Sequence, residues 1–423
     1  ILSNARLIDP ETGYDGPGAL RISDDVITDV SREALVGAPE GATVLDCGGK
    51  PLAPGIVDMQ VSVGEPGDRH KESYRSVGQA ASAGGVTTIA VQPDTDPAID
   101  DPAVLEFAMR RAEAASIVRV APMAALTKGR KGREMTEYGF LLDVGALAFT
   151  DASNAVADPT VFRNCLDYAN SLGALVVHHP QDPAMKAEGC VTESFFASKL
   201  GLPGVHPMAE RIMLERDLAL VEITGARYHA DAITTASALE ALVRAKDRGL
   251  RVTAGISHHH LVLNEMDLEG YPTFFKLEPP LREEEDRAAM VQAVADGVID
   301  VVTSSHRPQD EESKRQPFEV AAIGAVGLET LLPAALKLYH DGLTDLPTLF
   351  QRLSLAPSRL LGLAGGRLAK GAPADLVLFD PDVPYVLDRF ALRSKSKNSP
   401  FDRRLMTGKA LRTWVAGVEV FTA

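Results

Sequence analysis

Reactive chemistry in a chain of this kind sits where apolar runs end and polar side chains leave the core. The first such end, PGIVDMQVSVGEPG at residues 54–67, carries Gln60 and Ser62. Strand alternation places both on one side. Two histidines at this i, i+2 spacing would grip a cation at about 2.0–2.1 Å, whereas an amide oxygen and a neutral hydroxyl are much weaker zinc ligands. Later run ends carry Asp151, His178-His179, His229-Ala230-Asp231-Ala232, His258-His259-His260 and Thr303-Ser304-Ser305-His306. Asp151 and His179 have donor atoms suited to a metal, but Asp151 also suits a cap on the turn that follows it and His179 a hydrogen bond in a polar cleft. His229 and Asp231 share a face, with Ala232 on the other. Three successive histidines diverge in direction, which favours a loop or helix start held by hydrogen bonds over a ligand set. At the last run end a metal-dependent hydrolase needs a carboxylate to take a proton from bound water. Ser305 cannot do this at neutral pH without a base of its own. Ser305 and His306 are neighbours pointing opposite ways, and no GxSxG motif is present, so a serine hydrolase is disfavoured. GLAGG and GAVGL lack the strand context of a nucleotide fingerprint.

The elements that must position these residues follow from periodicity. Residues 1–54 are rich in β-branched residues and turn signals and read as short strands. From Gly55 to Leu363, apolar runs of four to eight residues alternate with amphipathic stretches such as DPAVLEFAMRRAEAA and TTASALEALVRAKDRG. Eight βα units predict an α/β fold, a closed (β/α)8 TIM barrel, whose reactive residues project from the C-terminal strand ends. Residues 364–423 return to short strands and are expected to join the N-terminal strands in one small, β-sandwich-like domain. SKSKNSPFDRR, residues 394–404, reads as a solvated basic loop.

A length of 423 residues with 45% hydrophobic content fits a large globular core with a smaller one appended. The formal charge of −15 opposes polyanions, and no Lys/Arg cluster forms a phosphate-tracking face, so nucleic acid is not expected as a partner. No apolar stretch is long enough for a membrane helix, and Ile1–Pro10 lacks signal-peptide order. Cys47, Cys165 and Cys190, without CxxC spacing, suit a reducing, cytoplasmic setting.

Several long stretches, among them PGIVDMQVSVGEPG, GGVTTIAVQPDTDP, VVHHPQDPAM, EPPLREEEDRAAMVQAVADGVIDVVTSSHRPQD and GAPADLVLFDPD, carry a resemblance over nearly the whole chain. They are similar to dihydroorotase of the amidohydrolase superfamily. The departures from the family pattern fall on chemical positions. Where the family has HxH, this chain has Gln60 and Ser62; the following arginine, used on the substrate carboxylate, is Gly64. The asparagine of PNTNP is Asp94, and the asparagine before PPLR is Glu278. The sixth-strand histidine is Ala232, and the aspartate and last histidine of TDHAPH are Ser305 and Gln309. Asp151 and His179 survive from the metal set, and His306 and Pro308 from the last motif.

The resemblance with these replacements implies a barrel without a bound metal and without dihydroorotase turnover. It implies a homodimeric, non-catalytic partner of aspartate carbamoyltransferase in pyrimidine biosynthesis. The alternative is a divergent cyclic-amide hydrolase holding one zinc through Asp151, His179 and either His306 or Asp231.

Overall fold

The computed structural model describes residues 1–32 and 41–423; the part of the N-terminal β region at 33–40 lies outside the described residues. Eight parallel strands form the barrel: Ile56–Val61, Val86–Val91, Arg119–Ala124, Ala148–Phe149, Leu175–His178, Arg227–Ala230, Val252–Ser257 and Val301–Thr303. They lie side by side in sequence order. The eighth returns to the first through a short bridge at the mouth, where His306 N donates to Gln60 O at 3.0 Å and Ser62 N donates to His306 O at 2.8 Å. The strand ends that carry the candidate chemistry therefore also close the barrel.

Between strands run amphipathic helices such as Pro102–Ala115 and Pro159–Ser171. Each starts with an Asp whose carboxylate accepts from the first-turn amides, followed by Pro in the first helical position, where its missing N–H costs nothing. Their buried faces pack against the outer sides of the strands in one large cluster that includes Ile89, Phe149, Phe162, Leu166, Tyr228 and Ile256. Alternate strand residues, Val57, Met59, Ala90, Ala121, Met123, Leu175, Val177 and Val301, form a second apolar cluster that fills the interior. Above this plug the C-terminal mouth is lined by polar side chains.

The two chain ends build one continuous sheet. Its order runs Val418–Thr422, Leu405–Val415, Leu376–Val386, Pro51–Pro54, Leu2–Asp9, Tyr14–Ser23 and Val26–Ser31. Leu52 faces Leu378 across the antiparallel pair where N- and C-terminal strands meet, and Leu7, Leu20, Leu376 and Trp414 lie in the core beneath. Among the described residues no helix is long and apolar enough to cross a membrane. All three cysteines are buried thiols.

One sequence expectation is overturned here. Residues 394–404 are not a solvated loop: Ser394, Ser396, Asn398, Ser399 and Phe401 are buried while Arg393, Lys395 and Arg403 face outward. Small polar side chains bury readily when each finds a partner. Ser396 Oγ donates to Lys71 O at 2.8 Å, and Asn398 Nδ2 donates to Gly324 O at 3.0 Å.

Candidate functional site at the barrel mouth

Gln60 sits at the centre of the mouth. Its Nε2 donates to Asp231 Oδ2 at 2.8 Å on the sixth strand end, and its Oε1 accepts from Thr303 Oγ1 at 3.1 Å on the eighth. A single amide thus ties three strands, with its donor and its acceptor both used. Ser62 Oγ donates to Asp94 Oδ2 at 2.7 Å, so the hydroxyl is occupied by the carboxylate that follows the second strand. Two residues before Gln60, the fully buried Asp58 accepts from Ser304 N at 3.1 Å and from Gln60 N at 3.2 Å. Burial pushes the Asp58 carboxyl up to about 6, and burial together with the nearby Asp58 charge pushes Asp231 up to about 7. Both carboxyls favour their protonated forms well above the usual range.

The surviving Asp151 is 1% exposed, and its carboxylate accepts from both Thr127 N at 3.0 Å and Thr127 Oγ1. The turn it organises is the one after the third strand, not the turn that follows it, as the sequence reading had it. Burial, partly opposed by Thr127, raises it to about 6. His179 is buried at the fifth strand end, and its Nε2 has no hydrogen-bond partner. Desolvation, with Lys186 next in effect, drives its pKa down to about 3, so the ring stays neutral. Its neighbour His178 points the other way, pairing with Asp217 at 2.6 Å in the fully buried layer behind the strands.

On the sixth strand, His229 bonds to Thr253 Oγ1 at 2.8 Å and its Nε2 crowds the space over Gly255, below the mouth. Ala232 is buried with φ 56° and offers no donor. The three histidines open a short helix, His258–Val262. They do not all diverge, since the rings of His258 and His259 lie 4.0 Å apart between centroids, but each has its own hydrogen-bond partner: His258 Nε2 meets Thr330 Oγ1 at 2.9 Å, His259 Nδ1 meets Ser257 Oγ at 3.0 Å, and His260 Nε2 meets Pro279 O at 3.0 Å. Ser305 lines the mouth with φ 48°. His306 Nδ1 accepts from Gly327 N at 3.2 Å, and its Nε2 lies 3.5 Å from Glu72 Oε2. Burial opposes ionisation of Glu72, but His306 and the Ser394 hydroxyl outweigh it and hold the carboxyl below its usual range.

The replaced substrate positions are equally committed. A Cβ added to Gly64 would lie 2.2 Å from Asp68 O, so the loop backbone fills the space a longer side chain needs. Glu278 is clamped between Lys186 and Arg307. Gln309 Nε2 donates to Ile323 O at 2.8 Å.

Asp58, Glu72, Lys186 and Arg307 were missed by sequence reasoning. Asp58 had a signal, a carboxylate in the middle of an apolar strand; the others lie in loops whose meeting depends on the closed barrel. As a donor set for a metal, the mouth fits poorly. Asp151 is engaged by Thr127 and Asp231 by Gln60, and of the imidazoles lining the mouth cavity His179 and His306 each keep an Nε2 without a hydrogen-bond partner. Among the described residues no three His, Cys, Asp or Glu side chains are grouped so as to hold a metal ion.

A closed parallel barrel with its polar groups at the C-terminal mouth and a β domain built from both termini defines the amidohydrolase fold. The L-hydantoinase of Arthrobacter aurescens superimposes with a TM-score of 0.89 at 23% identity, covering 100% of this chain and 95% of that one. Residues 49–238 match the dihydro-orotase-like family model. The dihydroorotase of Anaplasma phagocytophilum (strain HZ) is 39% identical, over 99% of this chain and 94% of its own length. That of Pelobacter propionicus is 38% identical, over 100% and 99%. The chain belongs to the dihydroorotase family.

Proposed function

We propose that this chain is a dihydroorotase homologue that has given up hydrolysis and serves as a structural partner of aspartate carbamoyltransferase in pyrimidine biosynthesis. The observation that carries this reading is the Gln60 amide, held by an N–H to Asp231 and by its oxygen to Thr303 at the strand end where a metal-binding pair would stand. Two further features support it. Ser305 offers no base for activating water, a loss worth roughly 10²–10⁴ in rate. Asp94, which takes part in no ion pair among the described residues, carries negative charge into a site that an anionic substrate would enter. The packed framework, by contrast, is complete, so a surface role remains open to it.

The test is direct. The purified chain is assayed for bound metal and for dihydroorotate hydrolysis, alone and with aspartate carbamoyltransferase from the same organism. Metal-free, inactive protein that co-migrates with the transferase is expected; measurable hydrolysis by the chain alone ends the reading. The free Nε2 of His179 favours one alternative, a single-zinc amidohydrolase, and stoichiometric zinc that survives dialysis would establish it.

A further inference from the structure

Beside the strand ends lies a recess of about 400 Å³, lined by Ser62, Asp94, Asp96, Arg130, Arg307 and Gln309, among others. It shares Ser62, Asp94 and Arg307 with a smaller cavity of about 40 Å³ that reaches Gln92 and His179. The charges around it divide into two sets. Lys71 is paired with Asp68, and Arg307 and Lys186 with Glu278. Among the described residues Asp94, Asp96 and Arg130 take part in no ion pair.

The orphaned atoms are more specific than the charges. Asp94 Oδ1, Gln92 Oε1 and Gln309 Oε1 are buried acceptors without donors. Gln92 is 3% exposed and held by its Nε2 on Met59 O at 3.4 Å, and Gln309 is held by its Nε2 on Ile323 O. Both amide oxygens are therefore left over once the amide N–H groups are used. On the other side, Arg130 Nε is a buried donor without an acceptor, its Nη1 resting on Asp151 O at 3.4 Å. Buried polar atoms left unmatched cost free energy, so this many around two adjoining cavities that share Asp94 point to a ligand that matches them.

Three acceptors that include a carboxylate suit an ammonium group, which has three N–H donors. An unpaired guanidinium suits a carboxylate. The charged residues lining the two cavities, Asp68, Lys71, Asp94, Asp96, Arg130, Glu278 and Arg307, sum to −1, and Lys186 paired with Glu278 brings the surroundings to zero, which suits a ligand without net charge. We infer that the barrel mouth binds a small zwitterion of the free α-amino acid class, with its ammonium group at Asp94, Gln92 and Gln309 and its carboxylate at Arg130. This goes beyond the scaffold reading and does not depend on it. Dihydroorotate hydrolysis or failure to bind the transferase would end that reading and leave this one to the binding data.

Calorimetric titration of the full chain tests it with L-alanine, L-asparagine and L-glutamine. N-acetyl-L-alanine lacks the ammonium, L-alaninamide lacks the carboxylate, and orotate is the anionic control. At least one amino acid is expected to bind, with the half-analogues and orotate weaker by roughly tenfold or more. Asp94→Asn keeps the shape and removes the charge, and is expected to erase the advantage of L-alanine over N-acetyl-L-alanine; Arg130→Ala is expected to erase that over L-alaninamide. Melting curves without ligand check that both variants fold. The inference is overturned if none of the three amino acids binds at about 10 mM. It is also overturned if orotate or the half-analogues bind as well, or if both folded variants keep wild-type selectivity.

Discussion

Replacing Gln60 by Met keeps the length of the side chain and deletes both of its hydrogen bonds. Thr303 loses little, because its hydroxyl also reaches Ile256 O at 3.3 Å. Asp231, 4% exposed, loses the donor to Oδ2. A buried acceptor stripped of its partner costs about 1–3 kcal/mol, so a loss near 2 kcal/mol is expected. The loss should depend on pH. The folded-state pKa of Asp231 is about 7, above its unfolded value, so folding favours the proton, and the stability linked to it falls as pH rises through that value. An ionised Asp231 depends on the Gln60 donor more than a protonated one, and Gln60→Met should therefore be more damaging at about pH 8.5 than at about pH 6. Urea denaturation followed by circular dichroism measures this at both pH values. A variant within about 0.5 kcal/mol of wild type at both, or one worse in acid, would show that the amide is not the tie across the mouth.

Three other outcomes follow from the same geometry. Gly64→Ala places a methyl 2.2 Å from Asp68 O, and an overpacking loss of about 1–3 kcal/mol is expected in the same urea assay; a neutral result would mean that the loop moves freely. Burial lowers the pKa of His179, His229, His258, His259 and His260, so the folded chain refuses protons that the unfolded chain accepts below about pH 6.5. The raised carboxyls Asp58, Asp151, Asp231, Glu265 and Glu329 act in the opposite direction, but carboxyls held low, such as Glu72, Asp217 and Glu284, act with the histidines, so thermal stability should fall between about pH 6 and pH 4, and a flat profile would contradict that balance. Gln60→His with Ser62→His supplies two imidazoles to the cavity that His179 lines. Elemental analysis should find about one zinc per chain, and the assay no dihydroorotate hydrolysis, because Ser305 still lacks a carboxylate.

The barrel was legible because parallel strands covered on both faces leave continuous apolar runs, and each run was long enough to be seen even where the strand shrinks to Ala148–Phe149. The helix start at His258, His259 and His260 was likewise readable, whereas the packing of the first two rings on each other was not. What could not be read was partnership. Gln60 and Asp231 are 171 residues apart, and nothing in either segment marks the other. Asp151 was expected to act on the chain after it, yet its carboxylate turned back to Thr127 in the preceding unit. The serines of residues 394–399 carry no hydrophobic signal, so a buried segment held by hydrogen bonds looked like a wet one.

That segment has a mechanical consequence. Ser394 Oγ and Lys395 N both donate to Glu72, which also lies against His306, the residue that closes the barrel between its first and eighth strands, and Asn398 Nδ2 donates to Arg307 O beside it. A pull on the terminal sheet therefore arrives at the seam of the barrel through this carboxylate and this amide together, and whatever grips the outside of this protein also has a grip on the shape of its mouth.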